Sequence, residues 1–138
     1  MTLPPDNRND IVNYRIEKAY SSLTEAKSVV ALDFWNLAVN RLYYAVYYIS
    51  VALLISRGIE TTTHKGAIRM IGYSFVKDGL LTPADSQLLG RLFSMRQTGD
   101  YEDLYDWKER DVVPLIPQVE EYIERVRKLI ELANEKTG

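Results

Sequence analysis

The chain has 138 residues, of which 46% are apolar and 26% charged, so one domain with a core of its own is expected. Its formal net charge of −2 argues against a protein that coats nucleic acid through bulk positive charge. The chain contains no cysteine, which excludes disulfides, thiolate zinc sites and cysteine nucleophiles.

The apolar pattern predicts an all-α protein, because no stretch shows the alternation of apolar and polar residues that is typical of strands. The first helix is expected from about Asn9 to Leu32, with apolar residues at steps of three and four. Asp33 is a suitable N-cap for a second helix, which should reach Arg57 and stop at Gly58 in the left-handed conformation. This second helix is apolar on nearly every side, which predicts a central position in the fold.

Residues 61–79 predict a third helix, with one of the threonines at the start of this stretch as its cap and Gly79 at its end. A fourth helix should begin at Thr82, because threonine caps a helix and Pro83 fits its first turn. Asp85 would complement the positive end of the helix dipole. Gly99 is expected to end this helix.

The end of the chain predicts a fifth, amphipathic helix, with apolar residues at helical spacing from Val119 to Ala133. Its start is left open. Pro114 and Pro117 each remove a backbone donor, and either could occupy the first turn or produce a kink.

Neither a secretory signal nor a membrane span is expected from the sequence. The first ten residues have no apolar stretch behind a basic start. The longest apolar stretch, from Tyr43 to Ile55, has about 13 residues, whereas about 20 are needed to span a bilayer. A soluble cytoplasmic protein is therefore the expectation.

Arg41, Tyr44 and Tyr48 share one stripe of the second helix, because they follow at spacings of three and four. A guanidinium on an otherwise apolar helix requires a carboxylate or phosphate partner, since a buried unpaired charge is very costly. Two interpretations stay open. Arg41 could line a pocket or a subunit interface, or it could form a structural ion pair with an acid of residues 100–106 or of the first helix.

His64 is the single histidine of the chain and stands in the first turn of the third helix. The positive end of the helix dipole favours its neutral form, which can accept or donate a hydrogen bond. This position suits the edge of a pocket, while a capping or packing role is the alternative. Gly66 would allow a helix or a ligand to approach closely.

Residues 96–106 contain one arginine followed by four acids and two tyrosines. Clustered carboxylates suit Mg²⁺, but the spacing matches no calcium loop and solvated loop acids are commoner, so no metal site is predicted. Arg96 and Asp100 are close enough to pair across a helix end. The sequence has no P-loop, nucleophile elbow or dinucleotide fingerprint, and no cofactor is expected.

Four motifs in order resemble those of a known family. They are NRLYYAVYYISVALLISRGIE, THKGAI, FVKDGLLT and a helix that ends in RQTGDYED. On these motifs the chain resembles the short stand-alone prokaryotic branch of the higher eukaryotes and prokaryotes nucleotide-binding (HEPN) family. The resemblance covers about residues 10–133 of a single domain spanning residues 1–138. It implies an up-and-down bundle of about five helices that forms a homodimer, with a polar patch near the dimer cleft.

The resemblance also implies a biological setting. Many relatives are encoded beside a small nucleotidyltransferase and act in toxin–antitoxin pairs, and the toxin branch cuts RNA without metal. That branch uses an arginine and, after four intervening residues, a histidine. Arg96 matches the arginine, but Tyr101 stands where the histidine should be. Tyrosine has an ordinary pKa near 10 and is a poor general base at neutral pH, so the ribonuclease centre is not carried over.

The expected function is a non-catalytic binding module that serves as partner of a minimal nucleotidyltransferase, binds a nucleotide or other phosphorylated ligand, or does both. The alternative is a metal-independent ribonuclease toxin in which Arg96 stabilises the transition-state phosphate and Tyr101 or His64 assists proton transfer. A dimeric helical protein with a structural polar cluster is the third interpretation. The candidate ligand-binding residues are Arg41, Tyr44, His64, Lys65, Arg96, Asp100 and Tyr101.

Overall fold

The computed structural model describes the backbone of residues 5–101 and 105–137 and the side chains of residues 7–100 and 105–132. Every regular element within these ranges is helical. The helices are α1 (Pro5–Val30), α2 (Trp35–Ser56), α3 (His64–Ile71), α4 (Pro83–Tyr101), α5 (Glu109–Val112) and α6 (Leu115–Thr137), and α3 continues into a π-helical turn at Gly72–Val76. Because α5 is a single turn, the prediction of an all-α bundle with five main helices is confirmed for the part of the chain described.

The helix α2 lies at the centre of the bundle, as predicted. Twelve of its 22 residues are buried, and it packs against α1, α4 and α6. By length and composition alone it could cross a membrane, since it extends beyond the apolar stretch from Tyr43 to Ile55. In the fold, 67% of the most apolar 18-residue stretch of this helix is buried within the protein. Neighbouring helices thus cover most of its apolar surface. A core helix of a globular fold can be as long and as apolar as a membrane span.

Two threonines begin helices as predicted. Thr63 Oγ1 accepts a hydrogen bond of 2.9 Å from the Gly66 backbone N–H at the start of α3. At the start of α4 the Thr82 N–H donates to Asp85 Oδ2 over 2.9 Å, and the Asp85 N–H donates to Thr82 Oγ1 over 3.2 Å, which is a reciprocal cap. The buried Asp85 carboxylate also accepts a hydrogen bond from Arg125, so this cap joins α4 to α6.

The turn between α1 and α2 differs from the prediction. The first helix ends at Val30 rather than Leu32, and Asp33 lies in the following turn with φ of +62°. Aspartate tolerates this left-handed conformation better than most residues. Phe34 therefore occupies the N-cap position of α2 and makes no side-chain cap hydrogen bond. The prediction of Asp33 as a cap was wrong, because the residue is used to reverse the chain.

Of the three glycines expected to end helices, Gly58 and Gly79 follow helix ends with φ of +74° and +78°, values that favour glycine. The prediction for Gly99 was wrong, because α4 continues through it to Tyr101. Gly99 provides room for an indole: a Cβ there would lie 3.0 Å from Trp107 Nε1. That nitrogen donates to a backbone carbonyl of α4 over 3.1 Å. The glycine thus allows the segment after α4 to pack on the helix.

The open start of the last helix is settled by the structure. The helix α6 begins at Leu115, so Pro114 precedes it and Pro117 is its third residue. The first four N–H groups of a helix have no partner within it, so a proline at the third position removes no helical hydrogen bond.

Alanine substitutions at Gly90 and Gly99 test this packing, because both glycines lie within α4. A Cβ at Gly90 meets nothing within 4 Å, so Gly90→Ala should raise the free energy of unfolding by about 0.5–1 kcal/mol through helix propensity. Gly99→Ala brings its Cβ within 3.0 Å of the Trp107 indole and should give no gain or lower the free energy of unfolding. Denaturant unfolding of both variants measures this difference, and equal stabilisation would contradict it.

Candidate functional site

Four tyrosines of α2 form a continuous aromatic surface. Tyr43 is fully buried, whereas Tyr44, Tyr47 and Tyr48 are partly exposed. Neighbouring ring centroids lie 5.1–6.3 Å apart, within the range of favourable aromatic contacts. Helical spacing places these four residues, which we call the tyrosine cluster, on one side of α2.

His64, the first residue of α3, packs on the tyrosine cluster. Its imidazole stacks on the Tyr47 ring with centroids 4.2 Å apart and planes 7° from parallel. Its Nδ1 lies 2.5 Å from the Tyr43 hydroxyl. Burial, with a further contribution from the positive charge of Arg96, lowers the pKa of His64. This direction favours the neutral imidazole that the sequence predicts, but through burial and Arg96 rather than through the helix dipole. The stacking shows that packing is one of the roles of His64.

The contact between Tyr43 and His64 determines which imidazole nitrogen is available. Burial and the neighbouring tyrosines raise the pKa of Tyr43 far above its usual value, so its hydroxyl keeps its proton. We therefore assign that hydroxyl as the donor and Nδ1 as the acceptor. In a neutral imidazole Nε2 then carries the hydrogen, so His64 presents a donor rather than a free lone pair.

Arg96 reaches the same tyrosine cluster from α4. Its guanidinium carbon lies 5.4 Å from the centroid of the Tyr44 ring and 5.7 Å from that of Tyr43. Nη2 donates to the Tyr44 hydroxyl over 3.1 Å, and Nε donates to Asp100 Oδ2 over 3.2 Å. The predicted pairing of Arg96 with Asp100 is confirmed. The fold thus places Arg96 and His64, from different helices, on one set of rings.

Arg41 joins this site through a chain of hydrogen bonds. Its Nη1 lies 3.3 Å from Glu25 Oε1 on α1, and its Nε and Nη2 donate to Asn40 Oδ1. Asn40 Nδ2 in turn donates to Asp100 Oδ2 over 2.9 Å. Arg41 also lies over the Tyr44 ring and lines a cavity of about 380 Å³ between α1 and α2. The ion pair to the first helix and the pocket position, considered as alternatives from the sequence, are both present.

Sequence reasoning missed Arg15 of α1. Its guanidinium carbon lies 5.5 Å from the Tyr48 ring centroid, and its charge also acts on Tyr47. The signal was a charged residue at helical spacing from Val12 and Ala19, which are both buried. A cation on the buried side of an amphipathic helix is unusual enough to mark a contact.

Comparison with known proteins shows the family. The HEPN domain family model matches residues 12–135. This chain belongs to the HEPN domain family. A UPF0332 protein from Thermotoga maritima is 32% identical over 126 residues, which cover 91% of this chain and 96% of the relative. Two Methanocaldococcus jannaschii proteins named as candidate toxins are each 27% identical over 115 residues, 83% of this chain and 78% and 85% of theirs. The resemblance found in the four motifs is confirmed.

Two further candidate residues of this HEPN domain are Lys65 and Tyr101. Lys65 is exposed and follows His64 at the start of α3. The backbone of Tyr101 ends α4, but its side chain lies outside the described residues. The participation of Lys65 and Tyr101 in ligand binding stays a prediction.

In the acidic segment of residues 100–106, Asp100 forms an ion pair with Arg96. Asp100 accepts hydrogen bonds from Arg96 and Asn40, while Glu102 and Asp103 lie outside the described residues. Among the side chains that the structure describes, no three histidine, aspartate or glutamate residues are grouped so as to hold a metal ion.

The single histidine of this HEPN protein allows a direct test, because it gives one imidazole signal in an NMR titration. We expect its midpoint below the ordinary value of about 6.5, since burial and Arg96 disfavour the charged form. The unfolded chain then binds the proton more readily than the folded one. The contribution of His64 to the free energy of unfolding is therefore complete above about pH 6.5. It is lost as the pH falls towards the pKa of His64 in the folded protein.

Two variants serve as controls for this titration. Arg96→Gln removes the positive charge that helps to lower the pKa of His64, so the titration midpoint of His64 should move upward. His64→Gln should abolish that part of the pH dependence in denaturant unfolding measured between about pH 5 and 8. A wild-type midpoint above about 6.5 would contradict the proposed burial of the neutral imidazole.

Proposed function

We propose that this HEPN protein is a non-catalytic nucleotide-binding module of toxin–antitoxin type. The observation that carries the proposal is the convergence of Arg96 and neutral His64 on one tyrosine cluster with partly exposed rings. Exposed aromatic rings stack on nucleobases, each stacked base contributing about 1–3 kcal/mol. Arginine and imidazole N–H groups donate to phosphate oxygens.

The state of His64 supports binding rather than catalysis. A general base needs a free lone pair within reach of the proton that it removes. In the arrangement assigned above, Nδ1 accepts from Tyr43 and Nε2 carries a hydrogen. His64 is therefore prepared to donate to a ligand. The similarity to relatives named as candidate toxins supports a HEPN domain of toxin–antitoxin type.

The nucleotide proposal is tested by titrating AMP into the protein and measuring the heat. Tyr47→Leu should weaken binding about tenfold, because it removes a partly exposed ring of the cluster that would stack on the base. Tyr73→Leu is the matched control, since Tyr73 is 64% exposed and lies outside the cluster. Absence of heat with wild-type protein, both for AMP and for a short single-stranded RNA, would end the proposal. RNA cleavage in the presence of a chelator, lost in Arg96→Ala, would favour the ribonuclease alternative.

The module is proposed to act as a homodimer with a minimal nucleotidyltransferase as its further partner. The supporting surface is at the start of α2, where Leu32, Phe34 and Leu37 are 63%, 55% and 47% exposed. Phe34 and Leu37 also line an open cavity of about 400 Å³ beside Trp107. Exposed large apolar side chains that line one cavity, as Phe34 and Leu37 do, mark protein contacts.

Sedimentation of purified protein tests the dimer. Wild type should sediment as a dimer, and Phe34→Lys should shift it towards monomer, because a charge would enter the apolar contact. Leu132→Lys is the matched control. It introduces the same charge at an exposed apolar residue of α6 and should leave the dimer intact. A monomeric wild type would contradict the homodimer, and failure of a neighbouring nucleotidyltransferase to co-purify would contradict that partner.

A further inference from the structure

Arg15 is a half-buried cation whose charge is not balanced within the described chain. No carboxylate among the described side chains lies within ion-pair distance of it. Its Nε is buried and has no hydrogen-bond partner. A buried donor without a partner is costly and rare in folded proteins, and it points to a partner that comes from outside the chain.

The other two arginines of the site each have a carboxylate partner. Arg96 is paired with Asp100, and Arg41 is paired with Glu25. An anion approaching either guanidinium meets a neighbouring carboxylate, which weakens its attraction. An anion approaching Arg15 meets no such carboxylate among the described residues. Of the three arginines around the tyrosine cluster, Arg15 is therefore the one without a carboxylate within ion-pair distance among the described residues, whereas the arginine matched by the family motif is paired.

The rings beside Arg15 specify the rest of the ligand. Its guanidinium lies over the partly exposed Tyr48, and the neighbouring Tyr47 stacks on His64. A cation next to partly exposed rings and an imidazole donor matches a phosphate joined to a planar base. We propose that Arg15 is the phosphate-binding residue of the site and that its ligand is a nucleotide, either free or within a single-stranded RNA. This inference rests on the nucleotide-binding function proposed above.

The chemistry of arginine makes this assignment specific. Its planar fork can donate from Nε and Nη to two oxygens of one phosphate, whereas lysine offers a point charge. The unpartnered Nε is one of these donors. Arg15→Lys should therefore retain part of the phosphate affinity, and Arg15→Gln should lose most of it.

The experiment compares AMP, adenosine and a short single-stranded RNA by calorimetry. Arg15→Gln should weaken AMP binding by about tenfold or more, because a charge-assisted hydrogen bond is lost. Adenosine lacks the phosphate, so its binding should be unchanged. Lys18→Gln is the matched control: it removes the same charge from an exposed position of α1 and should change AMP affinity less than about twofold.

A second measurement is made on wild-type protein and does not depend on Arg15→Gln. In wild-type protein the Nε–H resonance of Arg15, identified by its loss in Arg15→Lys, should shift when AMP is added and should not shift with adenosine. This readout decides the assignment even if Arg15→Gln fails to fold. Arg15-dependent binding of RNA but not of AMP would identify a strand as the source of the phosphate.

Three results would overturn the inference. Equal AMP affinity of wild type and Arg15→Gln would leave the nucleotide-binding function in place and remove Arg15 from it. Equal loss of AMP and adenosine affinity would assign Arg15 a structural role. Failure of wild-type protein to bind any of the three probes would refute the proposed function itself, and the Arg15 assignment with it.

Discussion

The burial of α2 is the constraint on which the rest of the structure depends. This helix is covered on most sides, yet it carries hydroxyl groups that cannot be left without partners in a low-dielectric interior. Tyr43 finds its partner in His64, and Ser50 lies 2.6 Å from the Tyr122 hydroxyl of α6. The position of α3 and α6 against α2 is thus fixed by polar contacts as well as by apolar packing. The His64 imidazole lies at the candidate site through the same contact that provides the buried Tyr43 hydroxyl with a hydrogen-bond partner.

The same helix organises the charges of the site. Asp100 accepts from both Arg96 and Asn40, so one carboxylate of α4 holds an arginine over the tyrosine rings and is itself held by α2. Arg41 continues this network to Glu25 on α1. Three helices are therefore connected through hydrogen bonds around one aromatic surface. For the proposed nucleotide binding, such a network would orient the rings in advance and reduce the entropy lost on binding.

Local signals in the sequence predicted several helix boundaries. Threonine caps and glycine stops depend on residues within one turn of each other, so Thr63, Thr82 and Gly58 behaved as expected. Gly99 did not, because its role is to make room for Trp107, a residue that follows in a separate segment. Asp33 failed for a related reason, since the chain reversal between two packed helices used it in the turn.

The all-α class, the central position of α2, the family and the pairing of Arg96 with Asp100 could be predicted from the sequence alone. These follow from helical periodicity, composition, motif order and spacing along one helix, which are local properties. The fold was needed to show that His64 and Arg96 share the tyrosine cluster and that Arg15 joins them without a balancing carboxylate among the described residues. These contacts connect α1, α2, α3 and α4, and the distance between residues on different helices is set by packing rather than by their separation in the chain.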